Sequence, residues 1–310
     1  MKQQSDTGIA GQVAGNPIVL DQKSHTTVQS FIAASNRKLL HVDTIVPWAQ
    51  DVDLSKPPKL EETSWIYGTL QWRGLSPAQR TELLWLETAR DVSYCIWQEQ
   101  AFAEIYIGYV NRYHSSLSPD IREYLVISSR EELVHTLMFR RYLHVAKLPI
   151  WSHPKTIPRF PAFAKRTINQ HPVYGILWNL LVKWHTDLNA IYQTQHALVD
   201  PLTRAIFKEH HVEEIRHIAF AKMIVENFFT IAHAGEANAL REFIKRAFGI
   251  FLQEITFMPE IARLTSFAFP IAVDDHKCIQ GIRTSPNNLR INRERFHDVH
   301  EWCMKYKLLP

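Results

Sequence analysis

An all-α fold built on a four-helix bundle is predicted by three observations. Four long segments carry apolar residues at helical spacing, three of them open on Ser-Pro or Asp-Pro, and no strand-period alternation stands out anywhere in the chain. The composition agrees: 310 residues, 46% hydrophobic and 21% charged with only 10 Gly, describe an ordinary globular chain long enough for a large core.

Residues 1–23 are polar, Gly-bearing and aperiodic, and are expected to form a mobile tail ahead of a single domain over 24–310. The first bundle helix starts after Ser76, an N-cap residue followed by Pro77 at the first helical position, and runs without Gly to Gly108 and beyond. The stretch SSLSPD breaks it. Ser118 and Pro119 then open a second long helix to about Lys147, joined by a turn short enough for an antiparallel pair.

The segment that follows contains Pro149, Pro154, Pro158, Pro161 and Pro172 and cannot be one continuous helix, so it reads as a long crossover. A third helix follows from Val173 to about Val199, and Asp200 with Pro201 caps a fourth that reaches Phe229. Two hairpins joined by a crossover have ferritin-like connectivity. One more apolar helix is expected from about 236 to 263, and residues 270–310 read as irregular with short helical pieces.

Several function classes are excluded early. Lys+Arg at 35 against Asp+Glu at 31 leaves +4 with no long single-sign run, which is no footprint for nucleic acid. Cys95, Cys278 and Cys303 are odd in number and far apart, so neither a disulfide framework nor a Cys-x-x-Cys zinc site is available and a reducing compartment is expected. Asn179, Lys183, Gln253 and Glu254 interrupt the longest apolar stretches, and the N-terminus has no apolar signal region. A cytoplasmic protein without membrane contact is the expectation.

The chemistry lies in a repeated motif. Bundles that bind metals inside build the site from a lone carboxylate on one helix and Glu-x-x-His on the next, twice over. Nineteen Glu and 16 His yield about one Glu-x-x-His by accident, and Glu294 with His297 is taken as that one. The longer pattern, Glu131-Glu132-x-x-His135 on the second helix and Glu213-Glu214-x-x-His217 on the fourth, has a random expectation of roughly 0.06. His210 lies within about 60° of Glu214 and His217 on the helical wheel, so all three reach a common point, whereas His211 lies off that line.

On the first helix Glu99 and Glu104 stand about 140° apart, and only Glu99 shares the apolar stripe of Val92, Cys95, Ile96, Ala103 and Tyr106. A carboxylate there needs a compensating partner, which selects Glu99. The third helix has no glutamate, and its one acid, Asp187, shares a stripe with Ile176, Leu180, Ile191 and Thr194. Asp187 is therefore expected as the fourth acid, the alternative being a surface pair with Lys183.

The expected ligand set is Glu99, Glu132, His135, Asp187, His210, Glu214 and His217. Four carboxylates balance two divalent ions, and oxygen with imidazole donors suits iron or manganese. Glu131 and Glu213 either accept a ligand histidine's free N–H across the bundle or belong to solvated faces.

These residues resemble the p-aminobenzoate N-oxygenase family of ferritin-like di-iron oxygenases. Its pattern of a glutamate, an acidic pair with x-x-His, a further glutamate and His-x-x-x-Glu-x-x-His is matched by Glu99, Glu131-Glu132-x-x-His135 and His210-x-x-x-Glu214-x-x-His217 over about residues 76–265. The helix-three glutamate is absent, and Asp187 is assigned that role by substitution. The resemblance implies two iron ions that activate dioxygen, an external electron donor, and oxygenation of an arylamine nitrogen through hydroxylamine toward the nitro compound. It also suggests a homodimer.

Tyr106, Trp184, Phe207 and Phe248 either line an apolar substrate pocket or are plain core, and Arg290 and Arg293 either clamp an aromatic carboxylate or belong to a solvated basic run. Two other functions share the motif: a different di-iron activity, such as C–H hydroxylation or ferroxidase-peroxidase action, and a non-catalytic binding bundle.

Overall fold

Ser76 accepts a hydrogen bond from the backbone N–H of Gln79, and the Gln79 side chain returns one from the Ser76 N–H at 2.8 Å. This reciprocal cap, with Pro77 behind it, starts helix α3 (Pro77–Arg112), at 36 residues about 54 Å long. The computed structural model describes residues 18–151, 162–254 and 258–309. Among them it contains eleven α-helices and no strand.

The four bundle helices are α3, α4 (Pro119–Val145), α6 (Pro172–Thr194) and α7 (Pro201–Ile231). Helix α3 packs most extensively on α4, and α6 on α7, so the two hairpins are the two halves of the bundle. Helix α4 stops at a Schellman turn: Leu148 N–H donates to Leu143 O at 2.9 Å and Lys147 takes a positive φ of 53°. Asp200 starts α7, one carboxylate oxygen accepting from both the N–H and the hydroxyl of Thr203 at 2.8 Å. Its other oxygen accepts from Asp53 N–H at 2.8 Å and ties the long N-terminal segment to the bundle.

Three features differ from the sequence reading. Helix α1 (Gln22–Arg37), capped by Asp21, begins just inside the segment expected to be a tail and packs on α4 and α7. Its anchor is a long-range contact, His25 Nδ1 to Asp120 at 2.6 Å, which no local pattern announces. Of the helix expected over 236–263, the described residues hold α8 (Ala234–Glu254) and a 3₁₀ turn at Pro259–Arg263, with 255–257 outside the described residues. The C-terminal region is more regular than expected, with α9 (His276–Arg283), α10 (Pro286–Arg295) and α11 (His297–Lys305). The remaining helices are α2 (Leu70–Arg73) and α5 (Ala162–Gln170), the latter at the end of the proline-rich crossover. Residues 1–17, and 152–161 within the crossover, lie outside the described residues.

Two apolar clusters fill the bundle at different levels. One contains Tyr106, Leu125, Leu177 and Phe220, and the other Val92, Phe139, Ala190 and Phe207. On α3, α4 and α7 the stretch between them holds Glu99, Glu132–His135 and His210–His217. A polar layer is thus sealed above and below by hydrocarbon, which lowers the local dielectric and strengthens every charge interaction inside it. No helix among the described residues is long and apolar enough to cross a membrane.

Candidate metal centre

Each inward position follows from helical spacing. Residues three and four apart share a face, so α4 turns Glu132 and His135 inward while α7 turns His210, Glu214 and His217. Helix α3 supplies Glu99, and Glu104 one turn on is exposed, as its polar stripe requires. The six inward groups expose 3% or less of their surface.

Two groups of side chains converge closely enough to hold metal ions. Glu99, His135, His210 and Glu214 form one, and Glu132, Glu214 and His217 the other, with ligand atoms in each within 4.8 Å of one another. Glu214 belongs to both, so the pair is suited to two metals sharing a carboxylate. In the first group, His135 Nδ1 lies 3.6 Å from Glu99 and 3.4 Å from Glu214, and His210 Nε2 lies 3.4 Å from Glu99 and 3.7 Å from Glu214. Those separations are mostly too long for hydrogen bonds. They match the spacing of about 3.4 Å between tetrahedral ligands placed 2.0–2.2 Å from one ion. Both ring nitrogens of His135 and of His210 are buried without a hydrogen-bond partner, a condition that metal coordination relieves.

The second group is tighter. His217 Nδ1 stands 3.1 Å from Glu132 and 3.2 Å from Glu214, while its Nε2 contacts Glu131 at 2.9 Å. Glu131 thus stands where an acceptor would orient this ring toward Glu132 and Glu214. Glu213 does not: it pairs with Arg216 on its own helix and, at 3.9 Å, with Lys38.

The expectation for Asp187 is corrected. It is buried, but both its oxygens engage His211 Nδ1, at 3.0 and 2.8 Å, and it lies in neither ligand group. It sits level with α7 as anticipated, yet faces the α6–α7 contact rather than the bundle axis. The surface pair with Lys183 is not formed either, because Lys183 takes the axial position. Its Nζ stands 2.6 Å from Glu132, 3.2 Å from Glu99 and 2.9 Å from both oxygens of Glu214. Lys183 belongs to no metal-ligand pattern, because an ammonium donates hydrogen bonds and coordinates no cation. The available signal was its place on the same inward stripe, three residues after Leu180.

This cation shapes the electrostatics. Burial pushes the Glu99 carboxyl upward, but Lys183 and the imidazoles of His135 and His210 overrule it and hold the group at about 2. Burial likewise opposes ionisation of Glu214, and Lys183 with His217 brings it well below the ordinary carboxylate range. Lys183 is raised in return: burial disfavours its charge, and Glu214 and Glu99 more than compensate. His217 is raised well above the usual imidazole value against its burial, by Glu214 and Glu131.

Other sequence candidates separate from the centre. Glu294 and His297 are exposed, and Glu294 pairs with Arg290 at 2.9 Å, so neither that Glu-x-x-His nor that arginine faces the site. Tyr106, Trp184 and Phe248 are packed in the core. Phe207 lines a small cavity with Tyr94, Cys95, His185, Arg295 and Phe296, one helical turn from Glu99. All three cysteines are free.

The family model described as P-aminobenzoate N-oxygenase AurF matches residues 21–306, nearly the whole chain. Comparison with curated proteins yields no match. An all-helical bundle, two buried Glu/His groups that share one carboxylate, and a match of this extent make the chain a member of the p-aminobenzoate N-oxygenase family, di-iron oxidoreductases that oxygenate arylamine nitrogen.

Proposed function

We propose that Glu99, Glu132, His135, His210, Glu214 and His217 hold the iron of this enzyme and that its substrate is an arylamine, carried from amine to hydroxylamine and toward the nitro compound. The observation that carries this reading is the first ligand group, two carboxylates and two imidazoles whose nitrogens have no other partner in a sealed interior. Bound there, iron supplies dioxygen binding and electron transfer. The first oxygenation inserts one oxygen atom into an N–H bond and releases the other as water, consuming two electrons and two protons from an external reductant.

The chain's own groups do the rest. The apolar layers on either side exclude water, and Glu131 keeps the His217 Nε2 proton in place so that Nδ1 faces the centre.

The test is product analysis. Iron-loaded protein given dioxygen, reductant and a series of arylamines is expected to yield hydroxylamino and nitro compounds, and the Glu132→Ala/Glu214→Ala double variant neither metal nor product. Hydrocarbon hydroxylation or peroxide turnover with no oxidised nitrogen would replace this reading with another di-iron activity.

A further inference from the structure

The three carboxylates at the bundle axis do not carry enough charge for two divalent ions once Lys183 is counted. Glu99, Glu132 and Glu214 contribute −3 and the ammonium +1, leaving −2, the complement of one divalent ion. A second ion would leave +2 uncompensated in a sealed interior, an expensive arrangement. Glu131 and Glu213, outside both ligand groups, do not alter the sum, because Arg216 lies against both and Lys38 stands 3.9 Å from Glu213.

The two ligand groups are also unequal in geometry. The one with His135 and His210 has unsatisfied nitrogens and ligand spacing suited to an ion. The one with Glu132 and His217 is already knit together at 3.1 and 3.2 Å, and the Lys183 ammonium, 2.9 Å from the shared Glu214, leans toward this group, at 2.6 Å from its Glu132 against 3.2 Å from Glu99 of the other. We infer that Lys183 is a built-in cation holding the seat of the second metal, so that one divalent ion binds tightly at Glu99, His135, His210 and Glu214 and a second binds only by displacing the ammonium. This inference rests on the proposed ligand set.

Metal content and spectroscopy test it independently of turnover. Apo-protein is titrated with Mn²⁺ or Fe²⁺, with mass-spectrometric metal analysis and, for Mn²⁺, electron paramagnetic resonance. The wild type is expected to retain one ion per chain with an uncoupled six-line manganese signal, its second ion binding at least a hundredfold more weakly. Lys183→Glu, which restores a fourth carboxylate, is expected to retain two ions and give an exchange-coupled spectrum. Lys183→Gln, neutral and close in length, guards against a folding failure in the first variant and is expected to tighten the second ion at least tenfold. Two ions of comparable affinity in the wild type would overturn the role of Lys183 and leave the metal centre standing. No ion in the wild type or in either variant would overturn the metal centre itself.

Discussion

His217 and Glu131, on different helices of the bundle, meet through Nε2 and Oε2 at 2.9 Å, with both side chains buried. Burial alone would raise the Glu131 carboxyl, but the hydrogen bond and charge of His217 bring it below its ordinary value. The pair locks the imidazole so that Nδ1 is the nitrogen facing Glu132 and Glu214. Glu131→Gln keeps the shape and removes the anion, and is expected to weaken binding of the second ion, the one at Glu132, Glu214 and His217, about 10–100-fold with little loss of fold. Metal titration of the folded variant checks this, and unchanged affinity would make the contact purely structural.

Gly175 of α6 lies directly against Tyr109 of α3. A Cβ there would overlap the Tyr109 hydroxyl and stand 2.9 Å from Cζ. That hydroxyl donates to Ile168 O, and the ring is fully buried, so it has nowhere to go. Gly175→Ala is expected to destabilise the protein by about 1–3 kcal/mol. Tyr109→Phe removes the obstructing oxygen, so the double variant should be more stable than the sum of the single effects, by about 1 kcal/mol in chemical denaturation. Strict additivity would contradict the clash.

Asp200 does three things at once: it caps α7 through Thr203, accepts the Thr203 hydroxyl, and holds Asp53 N–H. The Thr203 hydroxyl is itself 2.6 Å from the buried Tyr142 hydroxyl. Asp200→Ala is expected to cost about 2 kcal/mol, through the lost cap and the donors left without an acceptor. Asp200→Asn, which retains an acceptor, should recover part of that loss. Melting temperatures that do not separate the two variants would count against the cap as the cause.

His185 is buried against Phe248, Phe296 and His300. Burial holds it at about 3, helped by His300 and Arg295 and opposed by its contact with Leu181 O. The folded state therefore prefers the neutral ring, and the sign follows. Its contribution is complete above the ordinary histidine value near 6.5 and falls away as pH drops from there toward 3. Each pH unit inside that window removes about 1.4 kcal/mol. Wild type and His185→Leu should differ in stability by about 2 kcal/mol more at pH 7 than at pH 5, in favour of the wild type. Parallel pH profiles would show that His185 is not the group responsible.

The bundle was legible before any coordinates because helix signals are local. Ser76-Pro77, Ser118-Pro119 and Asp200-Pro201 place three starts within a residue of those observed. Helix α1 was illegible for the opposite reason: its burial against α4 and α7 comes from partners nearly a hundred residues away or more. The centre divides the same way. Glu132 with His135, and His210 with Glu214 and His217, are brought to one face by the period of their own helices, so spacing alone predicts their convergence.

Which side chain α6 sends to the axis is a different kind of question. Lys183 and Asp187 lie four residues apart on one stripe, so helical period alone does not say which of them reaches the axis. The choice between them depends on the rotation and axial shift of α6 against its neighbours, set by contacts such as Gly175 on Tyr109 and by His211, which draws Asp187 toward α7. Those are relations between helices, and only the packed bundle contains them. Sequence determined the four rods and most of the residues converging between them, while tertiary packing decided that the charge they enclose is answered from within by a lysine.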